Sequence, residues 1–319
     1  MGNAKLCVKK ITLQLYGDNL EKLIELLKEN KIEYLENEPM NKHTTFRIGG
    51  PAKLMIIPEG EDQLAFVVKK CKELGVRIFP LGKGSNLLVS DSGIDAAVIL
   101  IGKGLGGIRL LDDTTIFAGA GEALIKVCSF ALENSLTGLE FAYGIPGSCG
   151  GAAFMNAGAY GGEMKDVLYK CSHIDKDGNK GFLENDELSL SYRSSAYQNN
   201  GCIVTGLYMK LKKGDKAEIK AKMNELMKKR RDKQPLEYPS AGSTFKRPPG
   251  NFAGSLIESC GLKGKSVGGA QVSEKHAGFV INKSGNATCS DVLTLCREIS
   301  DTVFEKTGVR LEREIRVTE

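Results

Sequence analysis

The sequence predicts an α+β protein of more than one domain, and three observations point there. Strand-like and helix-like segments follow one another in mixed order and never settle into a regular β-α-β repeat. The chain has 319 residues, more than one ordinary domain holds. Near residue 213 its character changes, from meander-like strands to a charged helix, a Pro- and Gly-rich run and a smaller mixed module. The expected division is an N-terminal helical extension over 1–40, a first unit over 41–212 that splits near 107, and a C-terminal unit over 213–319.

Taken in order, the elements rest on local signals. Asp18 with Glu21 fits a capping box, and Leu20, Leu23, Ile24 and Leu27 mark one helical face. The acidic run 33–39 reads as a linker. Residues 52–57 read as a strand, 61–74 as a helix closed by Gly75, and 78–81 as a strand. Further strands are expected at 87–90, 97–101, 108–111 and 115–118, then a helix over 122–134 and strands at 166–174 and 203–212. The C-terminal part opens with a charged helix at 216–231. It ends with a helix over 291–307, whose Val292, Leu295, Cys296, Ile299 and Val303 share a face, and a last strand at 309–317.

Composition removes several function classes. Apolar residues make up 41% and charged residues 26%, so a globular core is well supported. No apolar run approaches the roughly 18 residues a membrane span needs, and the N-terminus lacks a signal-peptide core. A cytosolic protein is expected. Nine cysteines without a C-x-x-C pair argue against a disulfide framework or a zinc site, and three scattered histidines make a metal centre improbable. The net charge of +5 is mild. The basic run Lys228–Arg231 with Lys233 has no aromatic ladder, so nucleic acid is not an expected partner.

The segment Gly144–Gly162, GIPGSCGGAAFMNAGAYGG, carries seven glycines in nineteen residues and no charge. Stripping side chains lets a large ligand lie against backbone N–H donors, and a cofactor with a pyrophosphate suits it. The plain alternative is a packed region of close backbone crossings. Other phosphate motifs fail. Gly102–Gly107 matches G-x-G-x-x-G after a strand, but strand-like sequence follows where a helix must open. Gly264–Lys265–Ser266 lacks the first P-loop glycine, since Ser259 stands there. Ser148 has Pro146 where a nucleophile elbow needs glycine.

Seven segments occur together and in order: TTFRIGGPA (44–52), LGKGSNLLVSD (81–91), the glycine-rich segment, SYRSS (191–195), AGSTFKRPPG (241–250), GGAQVSEKHAGFVIN (268–282) and LEREIRV (311–317). This set resembles the UDP-N-acetylenolpyruvoylglucosamine reductase (UDP-N-acetylmuramate dehydrogenase) family of peptidoglycan precursor synthesis, from about residue 40 to the end. The resemblance implies an α+β fold with a two-subdomain FAD-binding unit of the vanillyl-alcohol-oxidase (PCMH) type and a C-terminal substrate-binding domain. It implies an FAD-containing, NADPH-dependent oxidoreductase of the bacterial cytoplasm. The partner is then a small molecule, UDP-N-acetylglucosamine enolpyruvate, and a monomer or weak oligomer is expected.

By the same resemblance FAD is held by Arg47, Ile48, Gly49 and Gly50, by Gly82, Lys83, Gly84, Ser85 and Asn86, and by Gly144, Gly147, Ser148, Gly150, Gly151, Asn156 and Gly158. Cys149 stands where a small apolar residue is expected, and a thiol near a flavin is open to oxidation. Arg193 is implied to stabilise the enolate that forms when hydride reaches the enolpyruvyl carbon, Ser243 to donate the proton, and Glu314 to assist Arg193. The residue types suit these roles. Arginine offers a permanently charged fork for a carboxylate, serine a hydroxyl that needs nearby cations to act as an acid, and glutamate a carboxyl that must be protonated to donate. Taken singly, Arg193 reads equally as a surface ion pair and Ser243 as a turn residue. Strand periodicity puts Glu312 and Glu314 on one face and does not separate them. Lys233, Lys246, Arg247 and Lys275 are the implied substrate contacts, with Arg247 standing where the family often has Asn. SYRSSAYQNNGCIV runs almost directly into a strand, without the insertion that carries a clamp tyrosine, so the chain resembles the shorter branch. An oxidase of the same fold and a catalytically inactive nucleotide-sugar sensor are the competing readings.

Overall fold

The computed structural model describes residues 17–318; the N-terminal stretch read for a signal peptide, and Cys7 within it, lie outside them. Two sheets and a C-terminal module share the chain. The first sheet has strand order Glu33–Pro39, Pro51–Ile57, Ile94–Leu100, Ile78–Leu81. Its edge pair is antiparallel and the other two pairings are parallel. Alternate side chains split between two cores: Leu54, Ile56, Ala97 and Ile99 face one, Met55, Ala96 and Val98 the other. That is the period-2 pleat of a sheet covered on both sides.

Helix α1 (17–29) and helix α2 (Glu61–Glu73) cover one face, α2 through Leu64, Val67, Val68 and Cys71. Residues 33–39, expected to be a linker, are instead the edge strand of this sheet, and Leu23 and Leu27 of α1 are fully buried in the main core. Those residues are therefore built into the first unit. The strand escapes a sequence reading because it pairs through backbone alone and buries none of its side chains fully. Its acidic residues also blunt an exposed edge. Asp18 lies inside helical sequence, not at a cap.

The second sheet is fully antiparallel, in order Lys180–Glu184, Leu168–Ile174, Ile203–Lys210, Thr115–Gly119, Ile108–Leu110. Helix α3 (Leu124–Glu133), helix α4 (Cys149–Phe154) and helix α5 (Lys216–Lys233) contribute to the core that it shares with the first sheet. No helix opens after Gly102–Gly107; a 3-10 turn at Lys103–Leu105 leads into strands, as expected. The glycine-rich segment does contain a helix, α4, capped by Ser148, whose Oγ accepts from Gly151 N at 3.4 Å.

The C-terminal module packs helix α6 (Ala253–Ser259), helix α7 (Cys289–Thr307) and a three-stranded sheet around Leu295, Ile299 and Val303. Gly308, at φ 73, closes α7 in the left-handed geometry that glycine adopts without strain. Contacts of three kinds bind this module to the first unit. Arg316–Val317 pairs in parallel with Leu87–Leu88. Phe46, Ile48 and Leu88 enter its core. Asp91 accepts from Cys289 N at 2.7 Å and Ser290 N at 3.0 Å, capping α7 from across the boundary. The last strand is thus Arg316–Val317, shorter than 309–317, because residues 312–314 pair with the chain around Thr244 instead: Lys246 N donates to Glu312 O and Glu314 N to Thr244 O.

Candidate active site

A cleft of about 470 Å³ opens between the units, lined by Arg193, Lys233, Ser243, Arg247, Lys275 and Glu314 among others. Residues far apart in sequence meet there because the Ser191–Ser194 turn, the Ser243 segment and the strand before Arg316 converge. Arg193 sits at the tip of a two-residue turn closed by reciprocal Ser191 and Ser194 backbone hydrogen bonds, at φ 54. A non-glycine residue in that left-handed region costs about 1 kcal/mol, so its surroundings must hold it there. Its Nε donates to Glu314 Oε1 at 2.5 Å and its Nη2 to Gly158 O at 3.3 Å.

The two glutamates that periodicity leaves equivalent are separated here. The Glu314 side chain is 11% exposed and paired with Arg193, whereas Glu312 is 73% exposed and pairs with Lys246 on the surface. Burial pushes the Glu314 carboxyl above the ordinary carboxylate range, against the downward pull of the Arg193 guanidinium and the Lys246 ammonium. A buried acid balanced against one arginine holds a proton more readily than a surface one. Ser243 is exposed in the cleft, and its hydroxyl has no hydrogen-bond partner among the described residues. Lys246, though adjacent in sequence, does not line the cleft.

Lys233 follows the helical turns of α5 into the cleft. Lys275 Nζ donates to Arg231 O at 2.7 Å. Arg247 stacks its guanidinium 4.0 Å from the centre of the Phe252 ring, and its backbone N–H donates to Tyr192 Oη. Tyr192, Phe252 and His276 line the same space. Tyr192 belongs to the SYRSS motif, whereas no local signal in the sequence points to Phe252.

A second groove, of about 430 Å³, is lined by Lys42–Thr45, Gly82, Lys83, Ile125 and Ile145–Gly147. Three of the glycine-bearing motifs converge on it. The N–H groups of Gly82, Lys83, Gly84, Ser85 and Asn86 donate to no acceptor among the described residues, and a Cβ on Gly147 would project into nearly open space. A run of free amides beside Gly147 fits the pyrophosphate of FAD, while Gly82 and Gly84 are also small because a Cβ would press on Ser148 Oγ and on His43 O.

Other expected FAD residues are engaged elsewhere. A Cβ on Gly144 would press on the Arg230 stem, one on Gly150 on Ala120, and one on Gly158 on Gly162 O. Gly49 and Gly50 likewise lie against Val89 and the Asp91 carbonyl, and Ile48 is buried in the C-terminal core. For these the close-crossing alternative accounts for the small side chain. Asn156 is fully buried and spends its amide on Glu163, Ser191 O and Lys165 N. Asn86 ties the 82–86 loop to the segment that carries Glu314, donating from Nδ2 to Glu314 O at 3.3 Å while its own backbone carbonyl accepts from Arg316 N. Arg47, at φ 56, and Ser85 flank the groove's motifs without lining it. Cys149 is fully buried and burial pushes its thiol far up, so it is not a reactive thiolate.

Known proteins resemble both parts of the chain. An FAD binding domain model matches residues 52–179, and the model of the UDP-N-acetylenolpyruvoylglucosamine reductase C-terminal domain matches 234–318. The chain is 50% identical over 300 residues to the UDP-N-acetylenolpyruvoylglucosamine reductase of Caldanaerobacter subterraneus, covering 93% of this chain and 97% of that one. It is 51% identical to the enzyme of the same name from Agathobacter rectalis, over 89% and 93%. Among solved structures, UDP-N-acetylenolpyruvylglucosamine reductase from Thermus caldophilus superposes with a TM-score of 0.77 at 36% identity, covering 90% of this chain and 99% of that one.

Proposed function

The chain belongs to the UDP-N-acetylenolpyruvoylglucosamine reductase family, and from that premise we propose that it uses NADPH to reduce UDP-N-acetylglucosamine enolpyruvate to UDP-N-acetylmuramate. The observation that carries the reading is the meeting of Arg193, Glu314 and Ser243 in one cleft beside an FAD-type unit. The free amides of Gly82–Asn86 would hold FAD along the glycine groove, and the bound flavin would supply hydride chemistry.

The chain's own residues answer the charge that follows. As negative charge spreads to the substrate carboxylate, Arg193 faces it with a fork already ordered by its turn. A substrate carboxylate competing for that guanidinium weakens its hold on Glu314. The buried Glu314 is then favoured as a neutral acid, able to donate a hydrogen bond toward the enolate. The free hydroxyl of Ser243 delivers the proton to the adjacent carbon, which completes the lactyl ether. Lys233, Arg247 and Lys275 bring positive charge to a nucleotide diphosphate further along the cleft. Lys246 acts only at a distance, through its charge near Glu314. The product's place in peptidoglycan precursor synthesis assigns the protein to the cytoplasm of a bacterium; no helix among the described residues is long and apolar enough to cross a membrane.

The test is an anaerobic titration. One equivalent of NADPH should bleach the flavin absorbance, and added UDP-N-acetylglucosamine enolpyruvate should restore it with formation of the lactyl product. Bleaching that is reversed only by air would discard the substrate and favour an oxidase.

A further inference from the structure

Gln198 is half-buried behind the cleft and does not line it. Its Nε2 donates to Arg193 O at 2.9 Å and to Phe154 O at 3.0 Å, which uses both hydrogens of the amide. The same nitrogen lies 3.8 Å from Met155 Sδ. Phe154 ends α4, the helix inside the glycine-rich segment, and its ring lies under the Arg316 guanidinium. One side-chain amide therefore joins the carbonyl of a left-handed arginine to the end of the helix beside the flavin groove. Ser195 makes a parallel bond, Oγ to Phe154 O at 2.8 Å, that leaves Arg193 untouched.

We propose that Gln198 is a positioning residue for Arg193, fixing the strained turn so that the guanidinium meets Glu314 and the substrate carboxylate at a set distance from the flavin side. This rests on the reading of Arg193 given above. Nothing else among the described residues donates to the Arg193 carbonyl. Without that bond the left-handed geometry of Arg193 rests on the Ser191–Ser194 pair and its own side-chain contacts alone, and a shift toward right-handed geometry swings the side chain.

Gln198→Leu removes both donors at similar size, and Gln198→Lys supplies N–H donors again. The measurements are the melting temperature, the rate of flavin bleaching by NADPH, the rate of flavin recovery with substrate, and calorimetric affinity of the oxidised protein for substrate. In Gln198→Leu, recovery should slow by about ten- to a hundredfold, the scale expected of a slightly misplaced group. Substrate affinity should weaken while bleaching holds, and Gln198→Lys should regain most of the loss. Ser195→Ala should lower the melting temperature without the selective slowing of recovery. In an Arg193→Ala background, Gln198→Leu should add nothing, because a residue that acts through Arg193 has no target left.

An undiminished ten- to hundredfold loss in that background would overturn the proposal. So would normal recovery in Gln198→Leu while Arg193→Ala is crippled, and this outcome leaves the reading of Arg193 standing. Arg193→Ala with normal turnover would instead remove the reading of Arg193 and the proposal with it. If Gln198→Leu does not fold, Gln198→Glu takes its place, since it keeps the shape and sets an acceptor against two carbonyls.

Discussion

At the residue scale the decisive contrast lies between two glutamates two positions apart. Glu314 is buried and paired with Arg193; Glu312 is in water beside Lys246. Glu314→Gln should therefore reduce turnover far more than Glu312→Gln, and the reverse ranking in steady-state assays would overturn the assignment. The sign of the pH effect follows from the raised Glu314 carboxyl. The neutral acid is the donating form, so substrate-driven flavin recovery should fall as pH rises through the Glu314 pKa, which burial holds above the ordinary glutamate value. That alkaline limb should vanish in Glu314→Gln, whose amide stays neutral. A limb running the other way would mean that the carboxylate is the working form. For Ser243→Ala, NADPH bleaching should stay nearly intact while substrate turnover drops at least about a hundredfold, the usual scale of a positioned acid. Equal losses in both half-reactions would make the serine structural.

At the element scale, the C-terminal module is held against the first unit by a strand pairing, by the apolar side chains of Phe46, Ile48 and Leu88, and by polar bonds across the boundary. Asp91, from the first unit, supplies two acceptors to the N-terminus of α7, a helix that already has its own capping box from Thr288 and Asp291. Asp91→Ala should cost about 1 kcal/mol in urea unfolding, as cap removals do. Its substrate KM should rise too, because the bond also sets how the walls meet. Unchanged stability would show that the Thr288–Asp291 box suffices alone. The elements also show how far local signals reach. Helices α2, α3, α5 and α7 were legible to within about two residues, α7 from its apolar face and α2 from the glycine that ends it. The strand 33–39 was not, because an edge strand pairs through its backbone and leaves no alternation in its side chains. Helix α4 was hidden by its own composition, since glycine and alanine carry little periodic signal.

At the scale of the whole molecule, charge is spread thinly, at +5 over the chain, and Arg193, Lys233, Arg247 and Lys275 gather in one cleft with Asp232, Glu258 and Glu314 among them. A substrate with a diphosphate and a carboxylate should feel that concentration. Its KM should rise as sodium chloride is increased through the range where the Debye length falls below about 10 Å, with kcat changing less. A KM indifferent to salt would mean that shape, not charge, selects the ligand.

By itself the sequence determined the α+β class, the family and the residue types the chemistry needs, because seven motifs in fixed order carry that information without any geometry. It also proposed the members of the site, from Arg193 to Glu314. Only the tertiary structure decided which of them meet. Arg193 and Glu314 are 121 positions apart, and no local period reports such a pairing. Tertiary structure alone set Lys246 outside the cleft, spent Asn156 on the protein itself, buried Cys149 beyond reactivity, and placed Gln198 behind the arginine. Burial and partnership are properties of chains that cross in space, whereas periodicity and spacing describe one chain with its near neighbours.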